Sequence, residues 1–339
     1  MPVRSTAAYR LLILGLSVGL VLSCIGALAF GPATIPLANV WGILGKQLGV
    51  DPVGEWSRSQ ESIVWLIRAP RVLLGALVGA GLSLVGTALQ AVTRNPLADP
   101  HLLGVSSGAA LGAVLVVMYL GEFLGVFSLP LAAFIGAAGS MLLVLAVARR
   151  SGRLESDRLL LAGVAVSFVL MALVNLLLYT GDHHAAASVV FWMLGGLGAA
   201  RWDVIWLPAI CVLLGLCALL VMARGLNALM SGEQTAVSLG FSGKQLRLQA
   251  FICTSLLTGV LVSLSGAIGF VGLMVPHMAR SLVGAEHRRL LPVAALLGAL
   301  FLVWVDVAAR TLIAPEDLPI GIATAAIGGL FFVMLLRRR

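Results

Sequence analysis

Charge is scarce in this sequence. Only 11% of its 339 residues are Asp, Glu, Lys or Arg, against about 25% in ordinary soluble domains. That deficit excludes a soluble globule, because 60% of the residues are hydrophobic and a soluble domain must still cover itself with polar surface. Lipid can serve as the solvent instead. Cysteine is scarce as well. Cys24, Cys211, Cys217 and Cys253 all lie in apolar runs without CxxC spacing, so they read as small hydrophobes rather than a disulfide framework or a metal site. The chain also lacks an engine: Gly45-Lys46 and Gly243-Lys244 have neither the upstream Gly nor the following Ser/Thr of a phosphate-binding loop. Acids are nearly missing from the apolar runs, where Asp306 stands alone. An ion-coupled secondary transporter would need more coupling charge than that. No nucleophile–base or metal-ligand spacing argues for an enzyme.

What is present is length without charge. Residues 11–31, 72–92 and 132–148 are uncharged and lack period-two alternation, as spanning helices require and barrel strands do not. In lipid every backbone amide must pair internally, so these runs become helices. The fold class read here is an all-α polytopic membrane protein, one transmembrane domain over residues 1–339. About ten spans are predicted, at 9–31, 64–92, 97–119, 127–149, 158–180, 203–223, 245–268, 271–284, 290–312 and 319–336. An apolar piece at 187–194 is too short to span and reads as re-entrant. Arg4 and Arg10 precede the first run, and Ala27-Leu28-Ala29 resembles a signal-peptidase site. That run exceeds the roughly 7–15 residues of a signal h-region, so it is expected to stay as the first helix.

Placing the N-terminus inside puts Arg4, Arg10, Arg94, Arg149, Arg150, Arg153, Arg158, Arg224, Lys244, Arg247, Arg280, Arg288, Arg289 and Arg337 to Arg339 on the inner side, most of the 22 basic residues. This is the positive-inside pattern. The net charge of +8 therefore orients the chain in a bilayer and does not call for nucleic acid. With ten spans both termini are cytoplasmic. Gly75 and Gly79, and Gly104, Gly108 and Gly112, repeat at four-residue spacing, which lets helix backbones approach closely.

Three arginines break the charge rule. Arg68 and Arg71, in Ile67-Arg68-Ala69-Pro70-Arg71, fall at the outer end of the second span, and Arg310 falls at the outer end of the ninth. A guanidinium cluster there can anchor carboxylates of an external partner; snorkelling toward headgroups is the other reading. On the inner side, Asn227–Gly240 within the 224–249 connection reads as one short amphipathic helix, with Ser231 as N-cap and Gly240 as its stop. Contact with a cytoplasmic subunit and a plain connecting loop both fit it. His183 and His184, after Asp182 in an outer loop, are candidate contacts for haem iron or propionates, beside the alternative of a solvated loop; adjacent histidines are not a closed metal set.

Several segments in order then resemble a known family: Arg68-Ala69-Pro70-Arg71, Arg94-Asn95-Pro96-Leu97-Ala98-Asp99-Pro100, Gly104-Val105-Ser106-Ser107-Gly108, Arg158–Val164, Trp192-Met193-Leu194-Gly195-Gly196, Gly269–His277, His287–Pro292 and Leu318-Pro319-Ile320-Gly321. The chain resembles the permease subunits of type II ATP-binding-cassette importers, which take up ferric siderophores, haem and cobalamin. The resemblance implies a multi-pass protein of the bacterial inner membrane that pairs with a second copy of itself, two cytoplasmic ATPase subunits and a periplasmic binding protein. It implies no cofactor on this chain and no catalysis by it; ATP and Mg belong to the partner ATPase. Arg68, Arg71 and Arg310 match the family's docking arginines. Glu233, Leu239 and Gly240 match its ATPase-coupling helix. Asn95, Leu97, Ser156 and Asp157 match the cytoplasmic gate, although small hydroxyl residues are expected where Asp157 stands, and a helix N-terminal acid favoured by the dipole also explains it. Haem is the first expectation for the substrate, followed by ferric siderophore and cobalamin.

Overall fold

The computed structural model describes residues 5–50, 54–100, 104–148 and 156–337, with the side chains of Ser156, Asp157, His184 and Leu336 outside that description. Thirteen helices form among these residues, and no strand. Local chemistry sets many of their starts. α1 (Thr6–Ala29) begins where Ser5 accepts a hydrogen bond from the Ala8 amide. After α2 (Leu37–Gln47), α3 (Arg58–Thr93) opens on a reciprocal Ser57–Gln60 capping box. It closes at Arg94, in the left-handed region at φ 50°. α4 (Val105–Leu120), α5 (Ser128–Ala148) and α6 (Ser156–Thr180) follow. α7 (His183–Met193) is capped by Asp182. α8 (Trp202–Met230), α9 (Glu233–Ser238) and α10 (Gly243–Ser265), capped by Ser242, lead into α11 (Val271–Val283). α12 (His287–Ala309), capped by Glu286, and α13 (Ile320–Arg337) complete the chain.

Each predicted span has a helix at its position. Seven of them are long and apolar enough to cross a membrane, and α4 and α13 contribute shorter apolar stretches. α11 has 13 residues, about 20 Å of helix, and the chain reaches it through the non-helical Gly266–Phe270. α3 is the hub. Its most apolar window is 83% buried, against 11% for α1, so α3 is surrounded by protein while α1 presents Leu11, Leu14, Val18 and Val21 outward. Exposed apolar side chains of that density are stable only where lipid is the solvent. The chain is a multi-pass membrane protein.

Glycine brings the helices together where the four-residue spacing expected it. A Cβ on Gly79 would lie 2.7 Å from the carbonyl carbon of Gly298, so α3 and α12 touch backbone to backbone. Gly108 of α4 faces Gly136 of α5 in the same way. α3–α12 and α4–α5 are the two most extensive helix pairs. Gly15, Gly19 and Gly26 of α1 face open space instead.

Two sequence expectations need correction. The segment Asn227–Gly240 is not one helix. The apolar run of α8 continues through Met230, Ser231 is the C-cap of α8, and Gly232 at φ 119° breaks the chain before the six residues of α9. Gly240 does terminate that helix, at φ 82°. The outer segment holding His183 and His184 is not a loop, because Asp182 caps a helix that starts at His183 and continues through the apolar 187–194 piece.

Candidate functional site

Two groups of paired charged residues stand out among the few that this chain carries. At the predicted outer end, the C-terminus of α1 meets the Arg68–Arg71 stretch of α3 and the finish of α12, and Arg71 reaches Asp317 in the connection to α13. The last carbonyls of a helix have no intrahelical donors and carry the negative end of its dipole. Arg68 fills that need. Its Nη1 donates to the Leu28 and Ala29 carbonyls at 2.8 and 3.1 Å, and its Nη2 donates to Ala33 O. Arg310 Nη2 donates to Ala27 O at 2.9 Å. Gly31 leaves room for this, since a Cβ there would lie 2.9 Å from the Arg68 guanidinium carbon. Arg68 itself sits in a π-helical stretch, Ile63–Arg68, just before Pro70. A proline takes an N–H out of the helix ladder, and local widening accommodates the loss.

Asp306 joins the arginines. Its Oδ1 accepts from Arg71 Nε at 2.8 Å, and its Oδ2 lies 3.4 Å from Arg310 Nε one turn on. Arg71 Nη1 also bonds Asp317 at 2.5 Å. Arg68, Arg71, Arg310 and Asp306 are all buried, while the Asp317 side chain is 38% exposed. The three outward-lying arginines are thus turned into the protein, as caps on α1 and as partners of Asp306. The pairing was partly legible, because Asp306 and Arg310 are spaced i, i+4 on one helix; the link to Arg71, 235 residues away, was not.

At the predicted inner end, α9 projects Val237 and Leu239, each more than 60% exposed, beside Gly240. Glu233, the first residue of α9, is held by Arg247 of α10 through two bonds of 3.1 and 3.3 Å. Arg247 is 5% exposed, and its Nε reaches the Val92 carbonyl at the end of α3. One guanidinium therefore ties α9 to both α10 and the hub helix. Sequence reading took Arg247 as an inner-side charge only, since nothing in a 14-residue separation marks it as the partner of Glu233. Arg247→Ala should leave α9 without its brace. The expected outcome is faster proteolytic cleavage around Ser231–Ser242 in the purified protein, followed by gel electrophoresis; unchanged cleavage would show that Arg247 does not brace α9. Just past α3, Asn95 Oδ1 accepts from the Leu97 amide at 2.9 Å and Leu97 is exposed. Ser156 and Asp157 occupy the first turn of α6, their side chains outside the description. Arg149, Arg150 and Arg153 also lie outside the described residues.

A third meeting point brings three of the motif segments together. Gly196 N donates to Ser265 O at 2.8 Å, Ile320 N to Gly195 O at 2.9 Å, and Gly321 N to Leu194 O at 3.0 Å. The exit of α7, the α10–α11 turn and the start of α13 are thereby stitched backbone to backbone. Phe270 in that turn holds φ 68°, and its side chain lies where a Cβ on Gly328 of α13 would stand. Nearby, Trp192, Gly196, Ser263, Glu122 and Arg201 are among the residues lining a cleft of about 530 Å³. His183 is exposed and is not part of that lining. Among the described residues no three His, Cys, Asp or Glu side chains are grouped to hold a metal.

A profile of the FecCD transport family matches residues 19–338. The chain belongs to the FecCD transport family. Within the curated relatives of this FecCD protein, the hemin transport system permease of Yersinia pestis is 41% identical over 84% of this chain and 87% of its own length. A cobalamin import permease of Halobacterium salinarum is 42% identical over 82% of this chain and 74% of its own. Among solved structures, an inward-facing conformation of a metal-chelate type ABC transporter superposes with a TM-score of 0.84 at 32% identity, covering 96% of this chain and 99% of that one. The FecCD protein is a transport permease.

Proposed function

We propose that this FecCD permease passes haem, delivered by a periplasmic binding protein, across the bacterial inner membrane, as a homodimer driven by two cytoplasmic ATPase subunits that use ATP and Mg. Both termini then lie in the cytoplasm. The observation that carries this reading is the division of labour along one bundle: an arginine–aspartate cluster at one end, the braced α9 with exposed Val237 and Leu239 at the other, and almost no charge between them. A path without charged or coordinating groups suits a route that does not hold its cargo, with tight binding left to the external protein. In this reading Arg68, Arg71 and Arg310 form the docking site and Asp317 its solvent-facing edge. Glu233, Leu239 and Gly240 meet the ATPase. Asn95, Leu97, Ser156 and Asp157 form the cytoplasmic gate. Likeness to the Yersinia pestis hemin permease and the exposed His183 support haem. The equal likeness to a cobalamin permease supports cobalamin as the second reading, and a ferric siderophore is the third. Ion coupling is disfavoured because Asp306 is enclosed by Arg71 and Arg310.

The test is ATP-dependent uptake into proteoliposomes holding this chain and its ATPase, with haem, a ferric siderophore and cobalamin each supplied on its own binding protein. Uptake of haem alone is the expected result. Uptake of another cargo keeps the importer and removes haem, and uptake without ATP overturns the importer.

A further inference from the structure

Arg71 has two carboxylate partners of different kinds. Asp306 is 1% exposed and shared with Arg310. Asp317 lies in the 310–319 connection with its side chain 38% exposed, and it pairs with Nη1 of the 10% exposed Arg71 side chain. Arg68 is satisfied by backbone carbonyls, while Arg310 Nε and Nη1 and Asp306 Oδ2 are buried without a hydrogen-bond partner. The Arg68 and Arg310 side chains are almost fully enclosed, so an external carboxylate reaches the cluster by way of Asp317.

The position of Asp317 in the chain gives that exposure a consequence. Leu318 N donates to Ala309 O at 3.0 Å, which closes the connection back onto α12. Three and four residues after Asp317, the amides of Ile320 and Gly321 hold Gly195 and Leu194 at the end of α7. The ion pair at the surface and the first turn of α13 are thus separated by about 10 Å of chain at most, with Pro319 stiffening it.

We infer that Asp317 is a resident carboxylate: it occupies Arg71 while the outer face is empty, and an acidic side chain of the docking protein takes its place. This inference rests on the docking reading above. Exchange of one carboxylate for another leaves the charge on Arg71 balanced, so the swap itself is nearly neutral electrostatically. What changes is the tether. With Asp317 displaced, the 310–319 connection and the start of α13 lose their hold on α3, and the junction with α7 is free to shift. Docking is thereby converted into movement at the mouth of the path without any side chain crossing the bilayer. Asp317 is a positioning residue in this scheme, since it acts through α13.

The experiment uses the permease–ATPase complex in nanodiscs, with the binding protein whose addition stimulates its ATP hydrolysis as the probe. Cys24, Cys211, Cys217 and Cys253 are replaced by serine, and a spin label is placed at Glu316→Cys, an exposed neighbour of the pair. Adding the binding protein is expected to mobilise the label. Asp317→Asn is expected to show the mobile spectrum with no binding protein present, and to bind that protein about three- to fivefold more tightly, the range set by removing a part-exposed competing ion pair. A label that stays immobile on docking, or in Asp317→Asn, overturns the exchange. The charge-balanced variant Arg71→Gln/Asp306→Asn separates the two levels. If it binds the protein as the wild type does, the docking reading itself fails. If its binding is weakened and Asp317→Asn has no further effect on it, both stand.

Discussion

Asp306→Ala is expected to be the most damaging single change in the chain. The substitution removes the carboxylate that Arg71 and Arg310 share at 2.8 and 3.4 Å and leaves two buried guanidiniums facing each other. Removing one partner of a buried ion pair costs about 3–5 kcal/mol, because the remaining charge is stranded in a low-dielectric site. Here the loss spreads beyond the pair. Arg310 also caps the Ala27 carbonyl of α1, and Arg71 holds Asp317, so α1, α3, α12 and the approach to α13 loosen together. Asp306→Asn, which keeps an acceptor for Arg71 Nε but not the charge, should fall between. The measurement is the melting temperature of the purified permease in detergent, followed by the loss of its monodisperse peak after heating. Added salt should not reproduce the effect, since buried pairs are little screened. Wild-type melting of Asp306→Ala would show that the cluster contributes nothing to the fold.

The second large effect is expected at the α3–α12 crossing. Gly79→Ala and Gly298→Ala each drive a methyl group into the opposite backbone, where a Gly298 Cβ would lie 2.9 Å from the Gly79 carbonyl carbon. A backbone cannot rotate away as a flexible side chain can, so the helices must separate along the most extensive interface of the bundle. Overpacking of this kind costs about 1–3 kcal/mol. The double variant should lose less than the sum of the two, because the first methyl already opens the contact that the second would crowd. Gly15→Ala and Gly19→Ala in α1 make the control: nothing lies within 4 Å of either added methyl, and alanine is the better helix former by roughly 0.5–1 kcal/mol. Equal behaviour of the two pairs in the same melting assay would contradict the packing argument.

These results bear on what could be read before the structure. Glycine spacing identified the residues that bring helices together, because a repeat of four keeps them on one helix face whatever packs there. It could not pair Gly79 with Gly298, more than 200 residues away. Charge placement identified Arg68, Arg71 and Arg310 as exceptions that needed a reason. The reason lay in unpaired carbonyls at the end of α1 and in Asp306, groups brought into reach only by folding. Length and polarity marked a helix near Asn227–Gly240, yet its break fell at Gly232 and not at Ser231, since backbone conformation at one glycine outweighs the capping preference of a neighbouring serine.

By itself, the sequence determined the solvent and most of the secondary structure. Those follow from transfer free energies and backbone hydrogen bonding, which depend on composition over stretches of about twenty residues. The tertiary structure alone decided which polar groups are partners: Arg68 with the end of α1, Arg71 with Asp306 and Asp317, Arg247 with Glu233 and Val92, and three glycine-bearing segments with one another. A hydrogen bond or ion pair acts over about 3 Å, and in a chain this poor in charge, helix packing settles which few groups come that close.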